Sequence, residues 1–330
     1  MLPVKIAGLG WYLPERRVTN AELEEQLGIS ADWIERATGV RERRYVSRGE
    51  TAVTMGAAAA HMALRHAGLE VSDIDAIIGA SSTPQQAIPC TAALLQRELG
   101  APEGISACFD INATCLSFLF ALQMAAHLVA ARVYRSVLIC SSEVASHSLN
   151  PRERESAVLF GDGAAAAVIT CSQPGEESAF CHALFETHSS GADLTQIIGG
   201  GTLHHPNDPE TIPEMNMFHM RGPAIFRQAA LLIEPFLDRF FSTSGWDRRE
   251  LDAVVPHQAS RHAIEQLSRR LGFKSDQLIL NLSQRGNCVS VSIPLALAEA
   301  VHCGRIRRGD RLLLVGTGAG LTLGAVSLTF

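Results

Sequence analysis

The sequence predicts an α/β protein made of two similar halves, and three observations carry that prediction. Short β-branched or alanine-rich runs bounded by turn residues alternate with longer Ala/Leu-rich stretches of helical period. The halves echo each other: Asp73-Ile74-Asp75-Ala76-Ile77-Ile78 enters one strand much as Glu250-Leu251-Asp252-Ala253-Val254-Val255 enters another, and each half closes on a glycine-rich turn, Gly161-Asp162-Gly163 and Gly316-Thr317-Gly318-Ala319-Gly320. At roughly 150 residues per domain, a length of 330 residues suits such a duplicated unit without a linker.

The elements follow in order. Met1-Leu2-Pro3 runs directly into a strand at Val4 and a Gly-x-Gly turn, with no charged and apolar leader pattern. Strands are expected at 76–80, 136–140 and 164–169 in the first half, and at 253–255, 311–315 and 324–328 in the second. Helices are expected at 54–67, 91–99, 115–131, 222–241, 261–271 and 292–301. These divide the chain into a first half (1–171), an irregular crossover rich in Gly, Pro, Ser and His (172–216), and a second half (217–330).

Composition narrows the function. With 47% hydrophobic and 19% charged residues the chain can bury a large core and is not a disordered segment. A net charge of −6 argues against coating nucleic acid. The longest apolar stretch, 118–133, is interrupted by Gln123, His127 and Arg132, so no membrane span is expected and the reading is cytoplasmic. Lys5 and Lys274 are the only lysines, and neither suits Schiff-base chemistry, which needs a desolvated amine. The eight cysteines show no Cys-x-x-Cys pair or zinc spacing and read mostly as small packing residues.

Three positions stand out for chemistry. In Asp110-Ile111-Asn112-Ala113-Thr114-Cys115, a strand turns into a helix that starts at the cysteine, where unpaired N–H groups and the helix dipole are expected to lower a thiol pKa and to hold an oxyanion. A cysteine buried at a strand-helix junction fits the position as well. His257, in Val255-Pro256-His257-Gln258, ends an apolar strand at the carboxyl edge of a sheet, where open α/β sheets bind ligands; placement favours catalysis over a structural histidine. Asn287 follows Gly286 in a turn before the last major helix. Beside it Cys288 is a rival nucleophile whose small-residue surroundings read as packing.

Taken together, the Cys115 turn, Pro256-His257-Gln258-Ala259, Gly286-Asn287 and the terminal Gly316-x-Gly-x-Gly-Leu-Thr-x-Gly occur in the order seen in β-ketoacyl-acyl carrier protein synthase III of the thiolase superfamily. Trp33-Ile34 with Thr38-Gly39-Val40-Arg41-Glu42-Arg43, and Leu159-Phe160-Gly161-Asp162-Gly163-Ala164, extend the resemblance, which runs from residue 4 to residue 330. It implies a thiolase-like fold, with βαβαβαββ halves forming a five-layered αβαβα core. It implies a homodimer that condenses an acyl-coenzyme A primer with malonyl-acyl carrier protein, losing carbon dioxide and needing no cofactor. Cys115 would carry the acyl group, with the N–H groups of Cys115 and Ala319 as oxyanion donors, and His257 and Asn287 would stabilise the enolate. Related thiolases use a second cysteine near the C-terminal glycine loop, where none follows Cys303; elongating synthases use a second histidine where Asn287 stands.

Two departures bear on substrate. Trp33 and Arg154 match the family's grip on coenzyme A, but Ala37 stands where a further arginine is usual, with Arg36 one residue earlier. The carrier-docking arginine is replaced by His262, with Arg261 adjacent. Ile88 falls where the family places a residue that closes the acyl channel across the dimer, and its size predicts medium-chain primers. Two other readings stand beside this one: a specialised condensing or acyl-transfer enzyme of secondary metabolism, and an inactive acyl-binding subunit, which the intact Cys115, His257 and Asn287 set disfavours.

Overall fold

The computed structural model describes residues 1–330, apart from the Leu267 side chain. β1 (Val4–Tyr12) is followed by a hairpin of β2 (Arg16–Thr19) and β3 (Glu42–Tyr45) that encloses α1 (Asn20–Leu27) and α2 (Ala31–Thr38). Then come α3 (Ala52–Ala67), β4 (Ala76–Gly79), α4 (Thr91–Glu98), β5 (Ala107–Asp110), a 3-10 turn (Thr114–Leu116), α5 (Ser117–Ala130), β6 (Ser136–Glu143) and β7 (Gly163–Cys171). The second half runs through β8 (Ala179–Thr187), the short pair β9 (Thr195–Gln196) and β10 (His219–Met220), α6 (Gly222–Ser244), β11 (Ala253–Pro256), α7 (Arg261–Arg270) and α8 (Leu282–Arg285). A second 3-10 turn (Val289–Val291), α9 (Ser292–His302), β12 (Arg311–Gly318) and β13 (Thr322–Thr329) complete it.

The duplication is explicit in the sheets. The first has strand order β1-β7-β6-β4-β5 and the second β8-β13-β12-β11, extended past β11 by a parallel bridge from Val254 to Leu278. Each order begins with two antiparallel pairings and continues with parallel ones, so polarity as well as order repeats. The stretch 172–216 is therefore not wholly an irregular crossover. It contains β8, where Ala183 and Phe185 face the central core and Leu184 the outer one, while His182 and Glu186 interrupt the apolar pattern of this partly buried edge strand.

Alternation along the strands builds five layers. Ile78, Val137 and Ile139 of the first sheet and Val255, Leu312 and Leu314 of the second face a shared core containing α5 and α9. The opposite faces bury Ile77 and Leu138 under α3 and α4, and Val254 and Leu313 under α6 and α7. α5 and α9 are thus enclosed between sheets, which explains their unbroken apolar character and why both faces of β6 are buried. The fold is the thiolase-like αβαβα arrangement.

Candidate active site

The cysteine turn is held by its neighbours' side chains. Asn112 Oδ1 accepts from the Thr114 N–H at 3.0 Å, and its Nδ2 donates to the Ser82 carbonyl at 2.9 Å. Ser117 Oγ accepts from the Ala113 N–H at 3.0 Å and donates to the Thr114 carbonyl at 2.7 Å. Thr114 takes a left-handed φ of 52°, which sets Cys115 in the 3-10 turn before α5 instead of at the helix's first residue. Gly318 of β12 passes so close that a Cβ there would lie 2.8 Å from Thr114 Oγ1, and this approach brings Ala319 over the turn.

The Cys115 thiol is pushed up to about 12, by burial first and then by the negative charge of Glu143; the Cys115 and Ala319 N–H groups pull it the other way. The expected lowering at a helix start is overturned. A helix dipole contributes about 0.3–1 kcal/mol in most settings, too little to offset desolvation of a thiolate. Those two N–H groups nevertheless lie near enough to the sulfur to act on its charge, which is where an oxyanion site beside it would draw its donors.

His257 continues β11, its N–H donating to the Val315 carbonyl at 2.8 Å. It is buried, its Nδ1 has no partner, and burial lowers its pKa to about 4, so the ring is neutral at pH 7. Gly316 of β12 is packed between the two sides of the site: a Cβ there would fall 2.6 Å from His257 Cβ and 3.3 Å from Leu116 Cδ2. Gln258, wholly buried, fixes the loop after His257. Its Nε2 donates to the Pro256 and Ile279 carbonyls at 2.8 and 3.2 Å, and its Oε1 accepts from the N–H groups of Asn281 and Leu282.

Asn287 is pinned through its backbone to the Leu159 carbonyl (2.9 Å) and the Gly161 N–H (3.1 Å). Its Oδ1 accepts from the Val289 N–H at 2.9 Å and from Ser292 Oγ at 3.4 Å; among the described residues no hydrogen bond engages Nδ2, which leaves that donor for a ligand. The Gly161-Asp162 motif is thereby given a structural task. Asp162 accepts from the Val46 and Ser146 N–H groups, both at 2.8 Å, and holds the loop against which Asn287 pairs. Arg43, fully buried, ties Asn20 Oδ1 to the Val158 carbonyl in the same region.

His257 and Asn287 border one cavity of about 470 Å³, together with Gly316 and Thr317, and Ala37 and His262 border it as well. Apolar side chains of α6 and α7, including Phe226, Ile233 and Ile264, line much of it. Cys115 is not among the described residues that border it. Arg154 stacks on Trp33, with the guanidinium carbon 3.9 Å from the ring centroid. Arg261 pairs with Glu265 at 2.7 Å, and His262 Nε2 lies 2.7 Å from the Arg36 carbonyl. Ile88 is apart from all of these, 84% exposed on the loop before α4.

One residue of the site carries no signal in the sequence. Glu143 lies beyond the strand expected at 136–140, yet it is 1% exposed and takes four hydrogen bonds close enough to Cys115 to act on its thiol. Among the described residues there is no cluster of His, Cys, Asp and Glu that could hold a metal ion, and no helix is long and apolar enough to cross a membrane.

Comparison with known proteins bears directly on this arrangement. Residues 109–189 match the family model described as 3-oxoacyl-[acyl-carrier-protein] synthase III, and residues 241–330 match that of its C-terminal part. The chain is 35% identical over 328 residues to a β-ketoacyl-[acyl-carrier-protein] synthase III of Bartonella bacilliformis, covering 99% of each. A crystal structure of 3-oxoacyl-[acyl-carrier-protein] synthase III from Aquifex aeolicus superposes with a TM-score of 0.89 at 34% identity, covering 99% of this chain and 100% of that one. The priming β-ketosynthase of the R1128 polyketide pathway superposes with a TM-score of 0.91 at 30% identity, covering 98% and 95%.

Proposed function

The chain belongs to the 3-oxoacyl-[acyl-carrier-protein] synthase III family, and from that premise we propose that Cys115, His257 and Asn287 divide its reaction among them. The enzyme is an acyltransferase that catalyses the decarboxylative condensation initiating fatty acid synthesis. It joins an acyl-coenzyme A primer to malonyl-acyl carrier protein.

In the first step the Cys115 sulfur attacks the primer thioester. The oxyanion that forms accepts from the N–H groups of Cys115 and Ala319, and the coenzyme A thiol leaves with the proton that Cys115 gives up. In the second step the malonyl carbon-carboxylate bond breaks. Carbon dioxide departs, and the electron pair passes to an enolate whose oxygen accepts from His257 and from Asn287 Nδ2. The enolate carbon then attacks the acyl carbon, the bond to sulfur breaks, and the Cys115 thiolate takes up a proton from solvent, so that the two steps together consume one proton. A neutral histidine suits this donor role, because an imidazole that stays uncharged through pH 7 gives a hydrogen bond without giving up its proton.

The observation that carries the reading is the pairing of an uncharged, buried His257 with the unengaged Nδ2 of Asn287 on one cavity wall. Trp33 and Arg154 are assigned to the coenzyme A adenine, and Arg261 and His262 to the carrier protein. Ile88 is assigned to a homodimer contact that closes the partner's acyl channel; its exposure in the single chain supports this, and its size supports medium-chain primers. We place the dimer in the cytoplasm.

A second reading is favoured by the likeness to the R1128 priming ketosynthase together with Ala37 and Ile88, where the chain departs from the usual family residues. In it the same steps prime a specialised pathway.

The test is incubation with acetyl-, hexanoyl- and octanoyl-coenzyme A and malonyl-acyl carrier protein, reading enzyme and product mass. Cys115→Ala is expected to lose the acyl adduct. His257→Ala and Asn287→Ala are expected to acylate and then fail at release of carbon dioxide. An adduct that persists on Cys115→Ala removes the nucleophile, and an acetyl preference removes the medium-chain assignment.

A further inference from the structure

Glu143 is a buried ionisable group that the steps above leave unused. It ends β6, and its two oxygens are fully engaged. Oε1 accepts from the Ser82 N–H and from Ser290 Oγ, both at 2.5 Å; Oε2 accepts from Ser82 Oγ at 2.8 Å and Thr83 Oγ1 at 3.1 Å. These partners come from both halves of the molecule. Ser82 is also the residue whose carbonyl accepts from Asn112 Nδ2 in the cysteine turn. Ser290 belongs to the turn that begins with Asn287.

One carboxylate therefore ends two tethers. The first runs from Asn112 through Ser82 to Glu143, and the second runs from Ser290 to Glu143. We propose that Glu143 is a positioning residue of the condensation, clamping the cysteine turn and the asparagine turn at one fixed separation. The inference rests on the reading of Cys115 as nucleophile and Asn287 as enolate donor. It adds that their spacing is set by a third residue that touches neither substrate.

The clamp has an electrostatic side. Burial pushes the Glu143 carboxyl up, and its hydrogen bonds, three from the clamped loop and one from Ser290, pull it back. Other titratable groups around the two turns are otherwise occupied: Asp110 accepts from the Thr91 and Ala92 N–H groups, Asp162 from Val46 and Ser146, while burial keeps His257 neutral and the Cys288 thiol protonated. After burial, the negative charge of Glu143 is the further influence that raises the Cys115 thiol pKa.

Three variants test the clamp. Ser290→Ala cuts only the second tether: acylation of Cys115 by the primer, read by mass in a single turnover, should stay within twofold of the native rate while condensation falls about tenfold. Glu143→Gln keeps an acceptor for Ser82 N–H and Ser290 Oγ and removes the charge. It should retain most of the condensation rate, within about threefold, because the hydrogen-bonded tethers survive without the charge. Glu143→Ala should lose condensation more than tenfold, with Glu143→Gln restoring it.

If Ser290→Ala slows acylation as much as condensation, or Glu143→Gln loses condensation as fully as removal of the tethers predicts for Glu143→Ala, the proposal is overturned. Should Glu143→Ala fail to fold, the other two variants still decide. Loss of the adduct on Cys115→Ala, measured alongside, keeps the nucleophile assignment separate from the clamp.

Discussion

Residues 112–117 and 287–292 form the same turn twice. Asn112 Oδ1 accepts from the N–H two residues on, and so does Asn287 Oδ1; Thr114 and Val289 share a left-handed φ of 52°. Ser117 Oγ accepts from the N–H four residues back, and so does Ser292 Oγ, both at 3.0 Å. Each turn then opens into a helix enclosed between the sheets. The contents differ. Cys115 in one is matched by Ser290 in the other, and Asn112 spends its Nδ2 on Ser82 where Asn287 keeps Nδ2 for the cavity. Duplication thus supplied two equivalent backbone frames, and in the proposed reaction their differing side chains fit one to hold the nucleophile and the other a hydrogen-bond donor.

The largest effects should come from the residues that distinguish the turns. Cys115→Ala is expected to cut turnover by at least on the order of 10³-fold, measured as product mass from hexanoyl-coenzyme A. Asn287→Ala should cost on the order of 10²–10³-fold in condensation, the range for removing one oxyanion donor. Asn112→Ala, which loses the matching turn contact and the tether to Ser82 but no enolate donor, should cost less, on the order of tenfold. Equal losses at the two asparagines would dissolve the functional contrast between the turns.

The strands before the turns carry the next contrast. Ala80 and His257 are counterparts, each donating its N–H at 2.8 Å to the equivalent carbonyl, Cys140 and Val315. His257 enters the fold with its pKa lowered from 6.5 to about 4. The unfolded chain therefore binds this proton first as pH falls, and the folded state loses stability from about pH 6.5 down to about pH 4. The slope approaches about 1.4 kcal/mol per pH unit from this group. His257→Ala, which restores the first half's residue, should flatten that part of a stability-pH curve from urea unfolding. An unchanged slope would mean that His257 is charged in the fold.

Much of this was open to reading from the sequence because strand, turn and helix signals are local. The apolar strand ending at Pro256 placed His257, and Asn112 with Thr114 marked the cysteine turn. The equivalence of Asn112 and Asn287 is hidden because α8 (Leu282–Arg285) is inserted ahead of the second turn and breaks the spacing. The thiol's true environment is hidden too, since Glu143 reaches Cys115 through tertiary packing and its partners come from both halves. β8 is hidden as well, because His182 and Glu186 sit in a strand whose faces are only partly covered.

The smallest predicted effect probes the shared frame itself. Ser117→Ala removes an acceptor for the Ala113 N–H and a donor to the Thr114 carbonyl; Ser292→Ala removes an acceptor for the Cys288 N–H and a weaker donor to Asn287 Oδ1. Both hydroxyls are buried, so each loss should cost about 1–3 kcal/mol of stability, the range for an unmet buried polar group. If the turns are one design used twice, the two costs should agree within about 1 kcal/mol in urea unfolding. Their kinetic consequences should still part. Ser117→Ala loosens the residue before Cys115 and should slow acylation a few-fold, whereas Ser292→Ala frees the Asn287 amide to turn and should slow condensation with acylation unchanged. Similar stability costs with opposite kinetic defects are what a duplicated frame with divided chemistry requires, and a common defect in both variants would make the resemblance of the turns geometric only.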